Sequence, residues 1–209
     1  MDAMKQTWLR REGTSELLVV MTGWAVGGEP FRHLTGETDV LMLSDYRELP
    51  PLALPDGYAA VDLVAYSFGV AAACQWPTLT AFRRKVAVCG SWAPFDDARG
   101  IPREAMRAMA EGLSDASLRQ FSRQAGCAVA PGAELTALRA ELDAVMAWPP
   151  GTPHVFDRIV LGKADRIFPL KNLNRAWESQ VQSRVHVLRC GHNPFADWRG
   201  WAAVLACTH

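Results

Sequence analysis

Residues 61–73 read VDLVAYSFGVAAA, an apolar strand pattern that passes through Ser67 directly into a helix pattern of small residues. Ala65 and Gly69 stand two residues before and two residues after that serine. A serine between a strand and a helix, with small flanking residues, is typical of a nucleophile elbow. Small flanks are needed because the turn is tight and because the strand and the helix approach closely. The alternative interpretation is a serine that only caps a helix.

Five further apolar runs have the length and the β-branched content of buried parallel strands. They occupy residues 17–22, 39–43, 85–89, 158–162 and 184–188, in addition to the run at 61–66. Helical composition follows at 68–76, 170–180 and 198–207. Strands that alternate with helices predict an α/β fold with a doubly wound, mostly parallel sheet.

The alternation stops at about residues 94–153, where three helical patterns are bounded by Gly and Pro and no strand pattern is present. The helices are predicted at 103–113, from Ser114 or Asp115 onward, and at 134–148. Residues 1–209 are therefore expected to form one domain with a helical insertion at 94–153. Because few residues precede the first long strand, we expect a trimmed sheet of six or seven strands.

Composition and charge exclude several classes of protein. The 22 Lys and Arg balance the 22 Asp and Glu, so no basic excess points to nucleic acid or to an anionic membrane as a partner. The longest apolar stretch, at 17–27, is too short to span a bilayer. Five scattered cysteines form no paired motif, which favours a reducing cytoplasm over a disulfide framework. Without a metal-ligand cluster, a phosphate loop or a dinucleotide fingerprint, no metal and no cofactor are expected.

A serine nucleophile of this kind needs an acid and a histidine later in the chain, in that order. Asp165 follows the predicted strand 158–162, and His192 follows the strand 184–188 in a Gly-His turn. We expect His192 to take the proton from Ser67 and Asp165 to orient the imidazole. Of the other histidines, His33 and His154 lie where no triad member is expected, His186 lies within a strand, and His209 is terminal. Asp157 precedes a strand and Asp197 starts a helix, where N-terminal placement explains it.

An oxyanion hole needs two backbone N–H groups that point at the developing negative oxygen. One is predicted at Phe68, directly after the nucleophile. The other is predicted at Trp24, where Gly23 allows a close approach of the loop after the first long strand. The alternative for Trp24 is a side chain that simply belongs to the core.

With these residues in place, nearly the whole chain resembles the α/β-hydrolase superfamily. More narrowly, it is similar to the short pimeloyl-acyl-carrier-protein methyl ester esterases of biotin synthesis, the BioG type. The resemblance is carried by TGW at 22–24, DYR at 45–47, VAYSFGV at 64–70, PFDD at 94–97, GIP at 100–102, DRIFP at 165–169 and GHNPF at 191–195. Their order and the short chain both fit.

The resemblance implies hydrolysis of a methyl ester at the far end of a seven-carbon acyl chain, whose near end is a thioester on acyl carrier protein. The insertion would then be a lid that selects the distal ester. Candidates for an apolar lining are Trp24, Met106, Met109, Leu113, Leu118 and Phe121, although packing of the lid onto the sheet accounts for most of the lid side chains without such a role. Candidates for a basic face toward the acidic carrier are Arg103, Arg107, Arg119 and Arg123, at helical spacings of four; a solvated surface is the alternative.

Two other functions remain open at this point. The same triad fits a general short-chain carboxylesterase or thioesterase. A hydrolase-like binding protein without turnover is the third possibility, although binding alone does not need all three triad groups.

Overall fold

The structure, a computed structural model, describes residues 4–208, so positions 1–3 and 209 of the predicted domain lie outside the described residues. One seven-stranded sheet runs through the molecule in the order β1-β3-β2-β4-β5-β6-β7. Its strands are β1 (Lys5–Arg10), β2 (Glu16–Met21), β3 (Asp39–Ser44), β4 (Ala60–Tyr66), β5 (Lys85–Val88), β6 (Arg158–Gly162) and β7 (Val185–Leu188). Only β1, at one edge, is antiparallel to its neighbour β3. The predicted mostly parallel sheet is confirmed.

Within residues 4–208, six α-helices accompany the sheet: three lie next to the strands, and three lie in the insertion. They are α1 (Phe68–Ala73), α2 (Arg103–Glu111), α3 (Asp115–Ala125), α4 (Leu135–Met146), α5 (Leu170–Ala176) and α6 (Trp201–Ala206). The helices predicted beside the strands are shorter than expected. The helix predicted at 68–76 ends at Ala73, and the carbonyl of the next residue, Cys74, accepts from the backbone N–H of Thr152 at 2.7 Å. The helix predicted at 198–207 begins only at Trp201, because Gly200 is extended and pairs with Thr35.

The insertion, residues 94–153, enters the chain between β5 and β6 and carries α2, α3 and α4. Ser114 caps α3 by accepting from the backbone N–H of Ser117, whose own side chain accepts from the N–H of Ser114. Helix α4 is tied to the body of the protein, since the indole N–H of Trp24 donates to the carbonyl of Leu138 at 2.9 Å. The insertion is therefore fixed by a direct hydrogen bond to the loop that follows β2.

The core lies on both faces of the sheet, which explains the continuous apolar strands. In β2, Leu17, Val19 and Met21 pack into one cluster and Leu18 and Val20 into the other. A strand buried on both faces shows no polar alternation, as parallel strands commonly do. Among the described helices, none has the length and apolar character needed to cross a membrane. The carboxyl ends of β2, β4, β6 and β7 meet at one edge of this core, where the polar groups collect.

Candidate active site

Ser67 lies in the sharp turn between β4 and α1. Its backbone has φ 56° and ψ −121°, a conformation that side chains rarely adopt and that is associated with functional sites. Helix α1 crosses β2 so closely that a Cβ added at Gly69 would lie 2.2 Å from the carbonyl oxygen of Met21. Only glycine fits there. The strained turn presents the serine at the carboxyl end of the sheet.

Three predicted residues from different strand ends are brought together. The distance from Ser67 Oγ to His192 Nε2 is 3.0 Å, and the distance from His192 Nδ1 to Asp165 Oδ2 is 2.9 Å. Asp165 Oδ1 accepts from the backbone N–H groups of Ile167 and Phe168, at 2.7 and 2.9 Å. The carboxylate is thereby held in one orientation. With the proton on Nδ1, Nε2 is free to accept the hydroxyl proton of Ser67.

Aromatic rings enclose the imidazole of His192. The ring of Phe168 stacks on it with a centroid distance of 5.9 Å and an angle of 19°. The ring of Tyr66 lies at 5.1 Å and is tilted by 37°. The side chains of His192 and Asp165 are 1% and 0% exposed. Sequence reasoning did not assign these rings a role; their positions directly before Ser67 and three residues after Asp165 were the available signal.

Cys89, at the end of β5, is a member of the site that sequence reasoning missed. Its backbone φ is 44°, and its Sγ, a carboxylate oxygen of Asp165 and a ring nitrogen of His192 all lie within 4.8 Å of one another. Burial, reinforced by the negative charge of Asp165, raises the pKa of the Cys89 thiol well above its usual value. Cys89 is therefore a neutral thiol that packs close to the side chains of His192 and Asp165. The geometry would admit a metal ion, but the His192 and Asp165 atoms already bond to each other, and we assign no metal to this cluster.

The backbone of the loop after β2 approaches Ser67 closely, and the oxyanion donors at Trp24 and Phe68 stay a prediction. A Cβ added at Gly23 would lie 2.9 Å from Ser67 Cβ, so the loop after β2 passes directly over the serine. Within residues 4–208, neither the N–H of Trp24 nor that of Phe68 donates to a protein acceptor. Phe68 is the first residue of α1, where the N–H has no partner inside the helix. Both groups are available to a developing negative charge.

An apolar cavity of about 290 Å³ opens beside Ser67. Trp24, Met106, Met109 and Phe121 line it, and the ring of Phe121 meets Trp24 edge-on at 4.9 Å. Leu113 is not among its lining residues and packs against the core instead, as Leu118 does. The structure adds further lining residues: Phe68, Ile101, Pro102, Ala105, Gln124, Arg166, Ile167 and Pro169.

The four predicted arginines separate into two locations. Arg103 and Arg107 on α2 border a second cavity of about 290 Å³, together with Arg99. Arg119 and Arg123 are exposed on α3 and line neither of these two cavities. Among the described residues, none of these four predicted side chains forms an ion pair. Arg103 and Arg107 thus border a different cavity from Met106 and Met109, which line the cavity beside Ser67.

A family model described as "Pimeloyl-ACP methyl esterase BioG" matches residues 4–204. The chain belongs to the BioG family. The match covers the strands and helices that supply Ser67, Asp165 and His192, together with the whole helical insertion. A curated relative, the malonyl-[acyl-carrier protein] O-methyltransferase of Bacteroides fragilis (strain 638R), is 32% identical over 180 residues. That alignment covers 78% of this chain but 36% of the relative, so the chain spans about a third of that protein's length.

Solved structures confirm the α/β-hydrolase fold. BioG from Haemophilus influenzae superposes with a TM-score of 0.84 at 22% identity, covering 97% of this chain and 100% of that one. An esterase from Exiguobacterium antarcticum gives a TM-score of 0.68 at 17% identity, with 93% and 89% coverage. The enol-lactonase from Burkholderia xenovorans LB400 gives 0.62 at 15% identity, with 90% and 89% coverage. The superposition with BioG therefore extends over nearly all of this chain and all of that one.

Proposed function

We propose that this BioG-family chain is a serine carboxylesterase that hydrolyses the methyl ester of pimeloyl-acyl-carrier protein to the free ω-carboxylate and methanol. The observation that carries the proposal is the 3.0 Å contact between Ser67 Oγ and His192 Nε2 beside an apolar cavity, in a chain of this family. The single domain, with residues 94–153 as a lid over that cavity, belongs to the same proposal.

The proposed chemistry has two steps. His192 accepts the hydroxyl proton while Ser67 Oγ attacks the ester carbonyl, and the proton then passes to the leaving methoxide, which departs as methanol. In the second step His192 deprotonates a water that attacks the acyl-serine, and the proton returns to Ser67. Asp165 stabilises the imidazolium that forms in both steps. The N–H groups of Trp24 and Phe68 stabilise the oxyanion.

Selection of the distal ester follows from the shape of the site. The methylene chain of pimelate is apolar, and Met106, Met109 and Phe121 offer apolar walls beside Ser67. A chain threaded between these walls brings its far end to the serine and leaves the thioester at the carrier outside. The bulky carrier cannot enter a cavity of this size, which explains why the thioester would be spared.

The carrier is the proposed partner, and the exposed arginines of the insertion are its proposed contacts. Acyl carrier proteins are acidic, so Arg103, Arg107, Arg119 and Arg123 would steer the encounter, with an attraction that weakens as salt increases. The chain's five cysteines are all free. Free thiols support a reducing compartment, and we place the reaction in the cytoplasm.

The test is hydrolysis of pimeloyl-acyl-carrier-protein methyl ester by the purified protein, next to a panel of short aryl esters and thioesters. We expect Ser67→Ala to abolish methanol release, while Ser179→Ala, at an exposed serine after α5, leaves it unchanged. Preference for the aryl esters or thioesters over the carrier substrate would favour a general esterase or thioesterase instead. Binding of the carrier substrate without turnover would favour a binding protein.

A further inference from the structure

Tyr46, the centre of the DYR motif after β3, has a contact that the proposed chemistry does not yet use. Its side chain is completely buried, and its hydroxyl donates to the carbonyl oxygen of Thr22 at 2.7 Å. The backbone N–H of Thr22 in turn donates to the carbonyl of Leu43 at 3.0 Å. Tyr46 therefore fastens the end of β3 to the first residue of the loop that carries Trp24.

Further hydrogen bonds hold the loop at 22–26, among them one from the backbone N–H of Ala130 to the carbonyl of Ala25 at 2.9 Å. The carbonyl of Gly23 accepts from the N–H of Val26 at 3.3 Å. The hydroxyl of Thr22 lies 3.4 Å from the carbonyl oxygen of Val26, and the indole of Trp24 donates to Leu138. Because the peptide group is planar, fixing the carbonyls of Thr22 and Gly23 also fixes the directions of the N–H groups of Gly23 and Trp24. The last of these is the proposed oxyanion donor.

Glu141 connects this arrangement to the insertion. It lies on α4, is 5% exposed, and accepts from the backbone N–H of Tyr46 at 3.1 Å. Asp45 has φ 64° and pairs with Arg47, with 2.6 Å between Asp45 Oδ2 and the guanidinium. After this turn the Tyr46 ring is buried and meets the ring of Trp148 edge-on, with a centroid distance of 6.4 Å. Burying a carboxyl group costs free energy unless the group has a hydrogen-bond partner, and the backbone N–H of Tyr46 is such a partner for Glu141.

We propose that Tyr46 and Glu141 are positioning residues that hold the loop at 22–26 so that the Trp24 N–H faces the oxyanion of the tetrahedral intermediate. Oxyanion donors act best when they need no reorganisation at the moment of reaction. Tyr46, at the end of β3, holds the loop through its hydrogen bond to Thr22, and Glu141, in the insertion, holds Tyr46 through its hydrogen bond to the Tyr46 N–H. This role deepens the proposed function and rests on it.

The first test is Tyr46→Phe, which removes only the hydroxyl. Active sites are counted with a fluorophosphonate, so that misfolded protein does not enter the rates, and kcat and KM are measured on a short aryl ester. We expect kcat to fall about tenfold with KM little changed, less than the 10²–10³ loss of a whole oxyanion donor. Affinity for a trifluoromethyl ketone, which forms an oxyanion on the serine, should fall by a similar factor. The control is Tyr58→Phe, whose hydroxyl contacts Asp39 at the opposite end of the sheet.

The second test compares Glu141→Leu with Glu141→Gln. Leucine removes the acceptor of the Tyr46 N–H and should lower kcat per active site, whereas glutamine keeps an acceptor oxygen and should restore it. Wild-type kcat and ketone affinity in Tyr46→Phe, with Ser67→Ala inactive, would overturn the positioning role and leave the proposed function intact. An active Ser67→Ala would contradict both. Equal losses in Tyr58→Phe would also overturn the role, because they would show a general effect.

Discussion

Ser67 Oγ and His192 Nε2 are 3.0 Å apart although 125 positions separate the two residues in the chain. The contact exists because β4 and β7 end at the same edge of a parallel sheet, and Asp165 reaches the same place from the end of β6. Parallel topology brings loops together that are distant in sequence. Because Ser67, His192 and Asp165 contact one another in this way, the role of each side chain can be tested by substitution.

Asp165→Asn should lower kcat about 10⁴-fold, as expected when a triad histidine is held in the wrong tautomer. The asparagine oxygen can still accept from Ile167 and Phe168, which turns its amide N–H toward His192 Nδ1. The proton then resides on Nε2, which can no longer accept from Ser67. Steady-state hydrolysis of an aryl ester measures the loss. Asp157→Asn, at the start of β6, is the control, and a similar loss there would mean that the effect is not specific to the site.

Glu141→Gln should increase the free energy of unfolding at pH 8 relative to the wild type, and much less at pH 5. Burial raises the pKa of Glu141 from its usual 4.5 to about 7; the Tyr46 N–H and Arg47 oppose that shift, and Asp45 adds to it. The folded state therefore holds a proton that the unfolded state releases, so wild-type stability falls as pH rises from about 4.5 to 7. Glutamine removes this penalty, which is at most about 3 kcal/mol. Urea unfolding at both pH values measures it, and a pH-independent difference would contradict the assignment.

Gly69→Ala should be strongly destabilising. The added methyl group would lie 2.2 Å from the Met21 carbonyl, and neither α1 nor β2 can move without disturbing the sheet. Overpacking of this kind costs about 1–3 kcal/mol or more, which lowers the midpoint of thermal unfolding by several degrees. Gly191→Ala is the control, because nothing lies within 4 Å of its added Cβ. Equal midpoints for the two variants would show that the close crossing of α1 and β2 is not required.

Reversing the charge at Arg103 and Arg107 should raise KM for the carrier-bound ester about tenfold at low salt. The reason is that electrostatic steering increases association rates about 10–10³-fold. The same change at Arg119 and Arg123 tests the other location. Neither pair should affect KM for a small aryl ester, because none of these side chains lines the cavity at Ser67. Unchanged KM for the carrier substrate in both double variants would contradict docking on the insertion.

Much of the fold was predictable from sequence, because buried parallel strands are continuous apolar runs. β1 was not predicted as a strand, since Lys5–Arg10 is a half-exposed edge strand with charged and polar side chains. The helices beside the sheet were predicted too long, because composition does not show the tertiary contacts of Gly200 that delay α6.

The candidate nucleophile, acid and histidine could be found because each stands in a short pattern at a strand end. The roles of Cys89 and of the Tyr46–Glu141 contact could not be found in this way, because neither stands in such a pattern. Glu141 is 95 positions from Tyr46 and lies within an ordinary amphipathic helix, where a carboxylate predicts solvent exposure rather than burial. Likewise, helical spacing placed Leu113 on the same stripe as Met106 and Met109, but α2 ends at Glu111, and Leu113 does not line the cavity beside Ser67.

The most direct test of the account is mass spectrometry of pimeloyl-acyl-carrier-protein methyl ester after incubation with the wild type and with Ser67→Ala. We expect the wild type to convert the carrier-bound ester to the carrier-bound free acid with release of methanol, and Ser67→Ala to do neither. Conversion by Ser67→Ala at the wild-type rate, or cleavage of the thioester in place of the methyl ester, would contradict the account.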